Sequence, residues 1–556
     1  MTGEPVIAEV SNPRLFDLGW DPRPVELPND VAQLAAKKRR RGVGAANSAA
    51  IHPGPGPDLL EVFDHATNPT DVAELTELFL GRVEARLGRG ATPSRHALAE
   101  RWRCSRPHRS TTVEEVMSST GTVGLVKSLF NSYFRDDLYG DFRRDDAVIL
   151  SSGAVDEELF GLPGPLRDTI GFAVERDWYG YSDSRGRDAS REALARYESA
   201  RMRDHAYDRH NISIGLGGTA LMAGIADMVL ARSGATSAAV CGIPNYPPLV
   251  QAVARRGPVT LAAIGEQHGV ADLSDLLTQV GSKTPLVLLQ TALNPTGARV
   301  TDAEIARLLD AVGQSTVVVL DECHEWLGDV ERFSAVRADP RVVRVNSLSK
   351  NWSAPGLKVG WLIGSREFVN EFYEYSSTNY GGPASIFYTL VEFTARMERW
   401  QLEGIECPGL AELAELESSY GVTLGSLRDA YARYADQRVQ RANALGLLRD
   451  ASCELLHANG ANLLDPTYSI NVAVGIGKGR DGYTFFRELL ASEGVSVFPG
   501  LLTFVLSQDL VRVTVARSWA DLSRGLPSLA RLSSDGHAAR PLQTADERSK
   551  PRPWRL

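Results

Sequence analysis

The stretch RVNSLSKNWSAPGLKVGW, residues 344–361, decides how this sequence is interpreted. The run RVVRVNSLS before Lys350 alternates and is rich in β-branched residues, which predicts a strand, and KVGWLIG after the Pro-Gly turn predicts another. Burying an ammonium at the end of a strand costs several kcal/mol unless its charge is paired or consumed. Lys350 is therefore a candidate for chemistry rather than for structure.

Length and composition exclude several classes of protein. The chain has 556 residues, 43% of them hydrophobic, which is enough for two or three domains with substantial cores. The formal charge of −9 gives no overall electrostatic case for nucleic-acid binding. The five cysteines form no CxxC pair, which argues against a zinc module or a disulfide framework. With no apolar run of the ~18 residues that a membrane span needs and no signal-peptide pattern, we expect a soluble, cytoplasmic protein.

The pattern of the sequence changes near residue 140. Residues 1–140 form an extension with a basic cluster at Lys37–Arg41, a Gly/Ala/Pro-rich linker after it and a helix-like stretch at 71–87. We expect the basic cluster to be a solvated tail, because charge runs beside linkers are seldom nucleic-acid sites.

Beyond the extension, short β-rich runs alternate with helical segments, which predicts an α/β fold with a mostly parallel sheet flanked by helices. The β-rich runs are residues 237–243, 285–293, 315–322, 341–349 and 359–364. We predict an entry segment with the first part of a small domain at 141–185, a large domain at 186–423, a linking helix with an α+β small domain at 424–534, and a disordered tail at 535–556.

Two glycine- or proline-rich stretches suggest ligand contacts. GLGGTALMAGIADMVL (215–230) places glycines directly before a helix, whose first N–H groups suit a phosphate. LNPTG (293–297) places Asn294 after a strand, at the edge where ligands gather in parallel sheets. Taken singly, each stretch also fits an ordinary cap or turn.

Two strands end in, or carry, charged residues. VVVLDECHEW (317–326) brings Asp321 to the end of an apolar strand, where a carboxylate needs a cationic or donor partner. VRVTVARS (511–518) carries Arg512 on a strand of the predicted small domain. Arg512 also fits a plain surface position, so only the combination of stretches is informative.

The order and spacing of these stretches resemble the fold-type-I, class I and II aminotransferase family of pyridoxal-5′-phosphate (PLP) enzymes, the aspartate-aminotransferase-like superfamily. SLSKNWSAPGLKVGW is similar to the family's Ser-x-Ser-Lys…Pro-Gly-x-Arg-x-Gly signature and is the most specific part. YGYSDSRGRDASREALARY, GGTAL, PNYP, NPTG and DE appear in the family's order. The resemblance covers roughly residues 145–530 and implies a large PLP-binding domain with a smaller α+β domain.

The resemblance implies a role for each candidate residue. Lys350 is expected to hold PLP as a Schiff base and then to move the Cα proton of an amino-acid substrate. Asp321 is expected to keep the pyridine nitrogen protonated, and Asn294 to donate to the cofactor's 3′-oxygen. Arg512 is expected to clamp the substrate α-carboxylate beside the backbone of Gly153. The other expected cofactor contacts are ring stacking by Tyr246, a phosphate cradle of Gly218, Thr219 and Ser347, and Tyr181 from the neighbouring subunit of a homodimer with a shared active site.

The sequence departs from the family at three points. His324 stands where the family usually has a tyrosine that donates to the 3′-oxygen; imidazole can donate too, but it can also titrate near neutral pH and serve in proton transfer. Lys358 stands at a phosphate-binding arginine position and offers a point charge instead of a planar fork. Ordinary transaminases of this class lack the extension, for which we favour an oligomerisation or substrate-lid role.

The resemblance leaves the reaction open, because several reactions share the loss of the Cα proton. Transfer of the amino group to a 2-oxo acid is the leading prediction. The main alternative is a natural-product enzyme resembling 1-aminocyclopropane-1-carboxylate synthase, which would use S-adenosylmethionine for Cγ elimination or carbon–carbon bond formation; aspartate β-decarboxylation and oxygen-dependent oxidation are others. An aminotransferase-like transcription regulator is weighed because TPSRHALAERWRCSR (92–106) resembles the start of a DNA-binding helix pair. It lacks a wing and a clear recognition helix, so nucleic acid is not an expected partner.

Overall fold

The computed structural model describes most of the chain: residues 13–17, 19, 25–42, 51, 54–88, 95–106, 109–233, 237–325, 332–464, 466, 468–477 and 480–534. The predicted disordered tail at 535–556 and most of the predicted linker after residue 42 lie outside these ranges. Within them, no helix combines the length and the apolar character that crossing a bilayer requires.

The described residues form short strands that alternate with helices. The strands are β1 (Val148–Ile149), β2 (Ile212–Gly215), β3 (Ala239–Ile243), β4 (Val259–Ala263), β5 (Gly265–Gln267), β6 (Val270–Asp272), β7 (Leu286–Gln290), β8 (Val317–Asp321), β9 (Val342–Ser347), β10 (Gly360–Ile363), β11 (Asn462–Leu464), β12 (Asn471–Gly475), β13 (Val495–Ser496), β14 (Phe498–Pro499) and β15 (Leu510–Thr514).

The helices lie before, between and after these strands. They are α1 (Asn29–Arg41), α2 (Pro57–His65), α3 (Val72–Leu87), α4 (His96–Cys104), α5 (Val113–Met117), α6 (Thr120–Ser132), α7 (Glu157–Phe160), α8 (Gly164–Glu175), α9 (Asp188–Ala200), α10 (Gly218–Ser233), α11 (Pro247–Ala254), α12 (Ser274–Gln279), α13 (Asp302–Ala311), α14 (Leu348–Asn351), α15 (Arg366–Asn379), α16 (Tyr388–Leu402), α17 (Leu410–Leu413), α18 (Leu424–Ala458), α19 (Gly482–Glu493) and α20 (Trp519–Ser534); a π-helix, Tyr133–Asp141, continues α6.

A sheet with the strand order β2-β10-β9-β8-β7-β3-β4 is the centre of the fold. Strands β9, β8, β7, β3 and β4 run parallel, and β10 runs antiparallel to both of its neighbours. Successive residues of these strands face opposite sides, so Leu288 and Val319 join one apolar cluster while Val287 and Val318 join another. Because helices cover both faces, the strands are apolar throughout, and the predicted α/β class with a mostly parallel sheet is confirmed.

A smaller antiparallel sheet, β11-β12-β15-β14, follows the long helix α18. That helix spans 35 residues, from Leu424 to Ala458, and is the predicted linking helix. Strand β1 pairs in parallel with β13, and the Thr514 N–H donates to the Leu150 carbonyl at 2.7 Å. These contacts bring the segment after β1 to the end of β15, beside the large sheet.

The basic cluster is solvent-exposed at Lys37, Arg39 and Arg40, as expected, but it is helical and not a tail. Residues 37–41 end helix α1, which packs along α18. Arg39 pairs with Asp450 at 2.9 Å and Arg41 pairs with Glu454 at 2.6 Å. The acidic partners are 411 and 413 positions away in the chain, which explains why local sequence did not reveal them.

The extension is built into the core of the smaller domain. Arg487 of α19 forms buried ion pairs with Glu84 of α3 and with Asp137 of the π-helix, the latter at 2.9 Å. The Tyr483 hydroxyl donates to Asp137 at 2.7 Å, also in a fully buried position. A buried network of this kind fixes the extension to the domain that carries β15.

Helix α4, which contains most of the DNA-binding-like stretch, is packed against α3. A Cβ at Gly81 of α3 would lie 2.4 Å from the Leu98 carbonyl oxygen, so the two helices approach as closely as glycine allows. Arg101 and Arg103 on α4 pair with Glu77 and Glu100. The arginines of this helix therefore serve surface ion pairs.

Candidate active site

The carboxyl ends of three neighbouring parallel strands place polar side chains at one edge of the large sheet. Gln290 ends β7, Asp321 ends β8 and Ser347 ends β9. Gln290 and Asp321 are also direct partners in the strand register. This is the edge at which α/β proteins bind ligands, because the connecting turns leave a crevice there.

Asp321 is a buried carboxylate held by two donors. Its Oδ2 accepts a hydrogen bond from Gln290 Nε2 at 2.8 Å, and its Oδ1 accepts one from the Cys323 N–H at 3.1 Å. Burial raises the pKa of Asp321, although both donors act in the opposite direction. No lysine or arginine of the described residues forms an ion pair with it. A ligand with a protonated ring nitrogen would supply the missing positive partner.

Lys350 lies in the short helix α14, three residues after β9 ends. Its amine is partly buried and donates to the carbonyl oxygen of Gly153. Burial, and then the positive charge of Arg512, lower the pKa of Lys350 to about 8. A substantial fraction of this amine is therefore neutral near physiological pH and able to act as a nucleophile.

Arg512 is buried in β15 without a carboxylate partner among the residues that the structure describes. Its Nη1 donates to Asn294 Oδ1 at 3.0 Å, and its Nη2 donates to the Ser151 carbonyl at 2.7 Å. Gly153 has a φ of +64°, and a Cβ there would lie 2.6 Å from Nη2, so the close approach requires glycine. Burial lowers the pKa of Arg512 to about 10, which still leaves a cation in the site.

His324 is buried beside these two cations. Its Nδ1 has no hydrogen-bond partner within the described part of the chain. Burial, followed by the charges of Lys350 and Arg512, lowers the pKa of His324 to about 3. The sequence allowed His324 to titrate near neutral pH, but burial beside two cations disfavours its charged form. The neutral ring keeps one unused polar atom for a ligand.

The residues expected to hold a phosphate gather at the start of α10. Helix α10 begins at Gly218, and a Cβ there would lie 3.1 Å from Cys323 Sγ. The Ser347 hydroxyl lies 3.3 Å from the same sulfur. Gly217 lies against the backbone of Lys358, whose side chain is exposed, and Thr219 in the first turn of the helix is exposed as well. The N–H groups in the first turn of a helix have no partner within the helix, so they suit an anion.

The two tyrosines expected at the cofactor have different surroundings. Tyr246 precedes α11, is half-buried, and meets the ring of Phe130 edge-on with 5.8 Å between ring centroids. Arg512 acts on the pKa of Tyr246, so the two side chains are close. Tyr181 is fully exposed and is not brought to the other site residues within one chain.

Sequence reasoning missed several residues of the site. Gln290 ends a strand just as Asp321 does, so its position could have revealed it. Phe498 lies under Arg512, with 4.2 Å from the guanidinium carbon to the ring centroid. Nothing in the sequence around Cys323 indicated that its side chain would lie against both Gly218 and Ser347.

The gathered residues fit PLP. Asp321 is a buried carboxylate that forms no ion pair within the described part of the chain and could face a pyridine nitrogen, and Lys350 is an amine with a lowered pKa. The start of α10 offers N–H groups to the phosphate, and the free Nδ1 of His324 lies among the same residues. Each polar end of the cofactor would therefore have a group of opposite or complementary character to hold it.

A separate cavity of about 370 Å³ lies between residues 157–163, the turn at 353–357 and α18. Its walls are mainly apolar, and Arg441 in its lining donates to Ser353 at 2.8 Å. Lys350 does not line it, so this cavity is distinct from the place where the titratable site residues gather.

Comparisons with known proteins match this chain to aminotransferases. Residues 138–400 match the family described as aminotransferase class I and II. Histidinol-phosphate aminotransferase from Ruegeria pomeroyi is 28% identical over 168 residues, which are 30% of this chain and 45% of that protein. Aspartate aminotransferase from Bacillus sp. strain YM-2 is 23% identical over 247 residues, which are 43% of this chain and 62% of that protein.

The fold is also that of solved aminotransferases. A single mutant of Thermus thermophilus aspartate aminotransferase superposes with a TM-score of 0.57 at 19% identity, covering 76% of this chain and 100% of that one. Identity at this level establishes the fold alone. The chain spans less than half the length of the first curated relatives it matches, with 45% of each covered.

Proposed function

We propose that this protein is a PLP enzyme of the class I and II aminotransferase family, whose model residues 138–400 match, and that it transfers the amino group of an amino acid to a 2-oxo acid. PLP is the cofactor of this family. One observation carries the proposal. The Lys350 amine and the Arg512 guanidinium, which pairs with no carboxylate of the described residues, both lie against Gly153, and the buried carboxylate of Asp321 is near them.

The chain's own residues would orient the cofactor. When bound, PLP supplies an aldehyde that reacts with amines and a ring that accepts the electrons released at Cα. Asp321, itself fixed by Gln290, would hold a proton on the ring nitrogen. The first turn of α10 and Ser347 would hold the phosphate, with Lys358 as a nearby charge. Tyr246 would cover one face of the ring, and Asn294 and His324 would face the 3′-oxygen.

Other residues would bind the amino acid and move its proton. Arg512 would take the α-carboxylate in a bidentate pair, for which the absence of a Cβ at Gly153 leaves room. Lys350, once released from the cofactor, would take the proton from Cα, since its lowered pKa suits a base at physiological pH. Because Arg512 is buried and Lys350 is partly buried, little water reaches them, and their charges act more strongly on the substrate.

A homodimer with a shared site is part of this proposal. Tyr181 is fully exposed, as is expected of a residue that reaches the phosphate of a partner subunit. The cysteines of the described residues are all free, which supports a reducing, cytoplasmic location.

The identity of the substrate can be tested with a panel taken from the relatives. PLP-loaded protein would be incubated with 2-oxoglutarate and, in turn, L-aspartate, L-phenylalanine, L-tyrosine and histidinol phosphate, and the glutamate formed would be measured. The proposal predicts glutamate formation with at least one donor and none without the 2-oxo acid.

The same assay decides the main alternative. In a parallel arm without any 2-oxo acid, S-adenosylmethionine replaces the amino donor and methylthioadenosine is measured by mass. Release of methylthioadenosine, together with no glutamate from any donor, would replace amino transfer by S-adenosylmethionine chemistry. Failure of both arms would contradict the proposed function.

A further inference from the structure

Helix α6 and the π-helix that continues it belong to the extension, yet they lie against the proposed active site. Helix α6 packs on α11, which Tyr246 precedes, and on the turn that follows β14. Nothing in the proposed chemistry so far uses a residue of this segment. Two of its aromatic side chains, Phe130 and Tyr133, nevertheless approach the residues that would hold substrate and cofactor.

Tyr133 is linked to Arg512 by a chain of hydrogen bonds. Its buried hydroxyl contacts Ser496 Oγ at 2.9 Å and donates to the Val497 carbonyl at 2.9 Å. Ser496 Oγ in turn contacts Ser151 Oγ at 2.9 Å. Ser151 is the residue whose carbonyl accepts from Arg512 Nη2 at 2.7 Å.

Two aromatic rings of the same segment, Phe130 and Tyr133, pack against residues near Arg512. Phe130 contacts Tyr246 edge-on at 5.8 Å and Phe498 at 6.0 Å between centroids. Tyr133 meets Phe498 at 5.1 Å, and Phe498 lies under the Arg512 guanidinium. The extension therefore touches both the ring that would stack on the cofactor and the ring that underlies the carboxylate clamp.

We propose that the extension completes the active site, with Tyr133 positioning Arg512 and Phe130 positioning Tyr246. This inference rests on the proposed function, because it takes Arg512 as the carboxylate clamp and Tyr246 as the stacking residue. The physical reason is orientation: among the described residues the Arg512 guanidinium has no carboxylate partner and is held by Asn294, the Ser151 carbonyl and the ring of Phe498. Small misplacement of such a group costs binding, since bidentate pairing is geometrically strict.

The effect of Tyr133 can be isolated by removing one hydroxyl. Tyr133→Phe should raise the KM for the best amino acid of the panel about 3- to 10-fold, the value of one hydrogen bond, with kcat little changed. The matched control is Tyr483→Phe, which removes a buried hydroxyl that donates to Asp137 in the same extension and not to the groups that link Tyr133 to Arg512. The control should leave KM unchanged.

A binding measurement without turnover separates positioning from general damage. The change in absorbance of bound PLP on titration with the amino acid gives a dissociation constant, which Tyr133→Phe should raise by the same factor. The corresponding amine, which lacks the carboxylate, should bind equally to the wild type and the variant. Should Tyr133→Phe fail to fold, Ser496→Ala breaks the same chain of hydrogen bonds from the other side.

Phe130 is tested through the cofactor. Phe130→Ala should speed the dissociation of PLP about 3- to 10-fold and shift its absorbance band, because Tyr246 loses its neighbour. Phe130→Tyr, which keeps the ring, should restore both. Phe142→Ala is the control, since Phe142 is a partly buried ring just after the extension and contacts Arg95 and Arg487 instead.

The outcomes distinguish this inference from the proposed function. A wild-type protein that neither binds PLP nor forms glutamate would contradict the proposed function itself. A wild type that does both, while Tyr133→Phe behaves like Tyr483→Phe and Phe130→Ala behaves like Phe142→Ala, would overturn the positioning roles alone.

Discussion

Two buried arginines of the smaller domain have opposite surroundings. Arg487 on α19 lies between the carboxylates of Glu84 and Asp137, with 2.9 Å to the latter. Arg512 on β15 donates to two neutral acceptors, at 2.7 and 3.0 Å, and to no carboxylate in the described ranges. Burial would lower the pKa of both, but Asp137 and its neighbours outweigh burial and raise the pKa of Arg487, whereas the pKa of Arg512 falls to about 10.

The difference separates a structural site from a functional one. A buried charge with its partners in place contributes to the fold, and removing one partner is costly. A buried charge without a partner is a cost that the fold carries, and an anionic ligand is the simplest partner for it. We therefore expect changes near Arg512 to alter chemistry and changes near Arg487 to alter stability.

The largest effect should come from the amine next to Arg512. Lys350→Ala should abolish the covalent PLP absorbance and lower amino transfer at least ~10⁴-fold, because covalent capture is lost together with the general base. Lys283→Ala, at an exposed lysine, is the control and should keep both. Residual turnover of more than one per cent in Lys350→Ala would contradict the assignment of Lys350 as the PLP-binding lysine and general base.

The next effect should be on folding and should distinguish the two arginines. Arg487→Ala should lower the free energy of unfolding by about 3–5 kcal/mol, because Glu84 and Asp137 lose a buried partner. Arg512→Ala should lower it by less than half of that, since no carboxylate is left behind. Chemical denaturation of both variants measures the difference, and equal losses would contradict the comparison.

The role of Arg512 in binding the substrate carboxylate is tested with the same Arg512→Ala variant. Loss of the clamp should weaken carboxylate-bearing substrates by about 2–4 kcal/mol, measured as kcat/KM, while the PLP absorbance is retained. Folded Arg487→Ala should show wild-type kcat/KM. Unchanged substrate affinity in Arg512→Ala would refute the clamp.

The smallest effect concerns pH. The Lys350 amine has a pKa of about 8 in the folded protein, below the ordinary value of ~10.4. Its neutral form, and with it the rate at which the cofactor-free protein captures PLP, should rise with pH around 8 and then level off. Arg512→Ala removes a positive neighbour and should move this midpoint to higher pH, whereas Arg487→Lys should not. A midpoint near 10 in the wild type would contradict the burial of this amine.

Much of the large sheet was predictable because its signals are local. Apolar, β-branched runs marked β3, β7, β8, β9 and β10, and the parallel arrangement then placed residues such as Asp321 and Asn294 at one edge. The Lys350 stretch was informative because its neighbours in the chain are also its neighbours in space.

The rest depends on contacts between distant parts of the chain. Arg41 pairs with a residue 413 positions away, and Tyr133 bonds Ser496 at a separation of 363. No local pattern encodes such pairs, so the helical basic cluster and the approach of the extension to Arg512 were not foreseen. The pKa of His324 likewise depends on burial and on two cations that sequence alone did not place.

The most direct measurement is to find the residue that holds PLP. PLP-loaded protein would be reduced with borohydride, digested, and the pyridoxyl-labelled peptide identified by mass spectrometry. The account predicts one labelled peptide, with the adduct on the lysine of NSLSKNWSAP, residues 346–355. An adduct on any other lysine, or a protein that takes up no label, would contradict it.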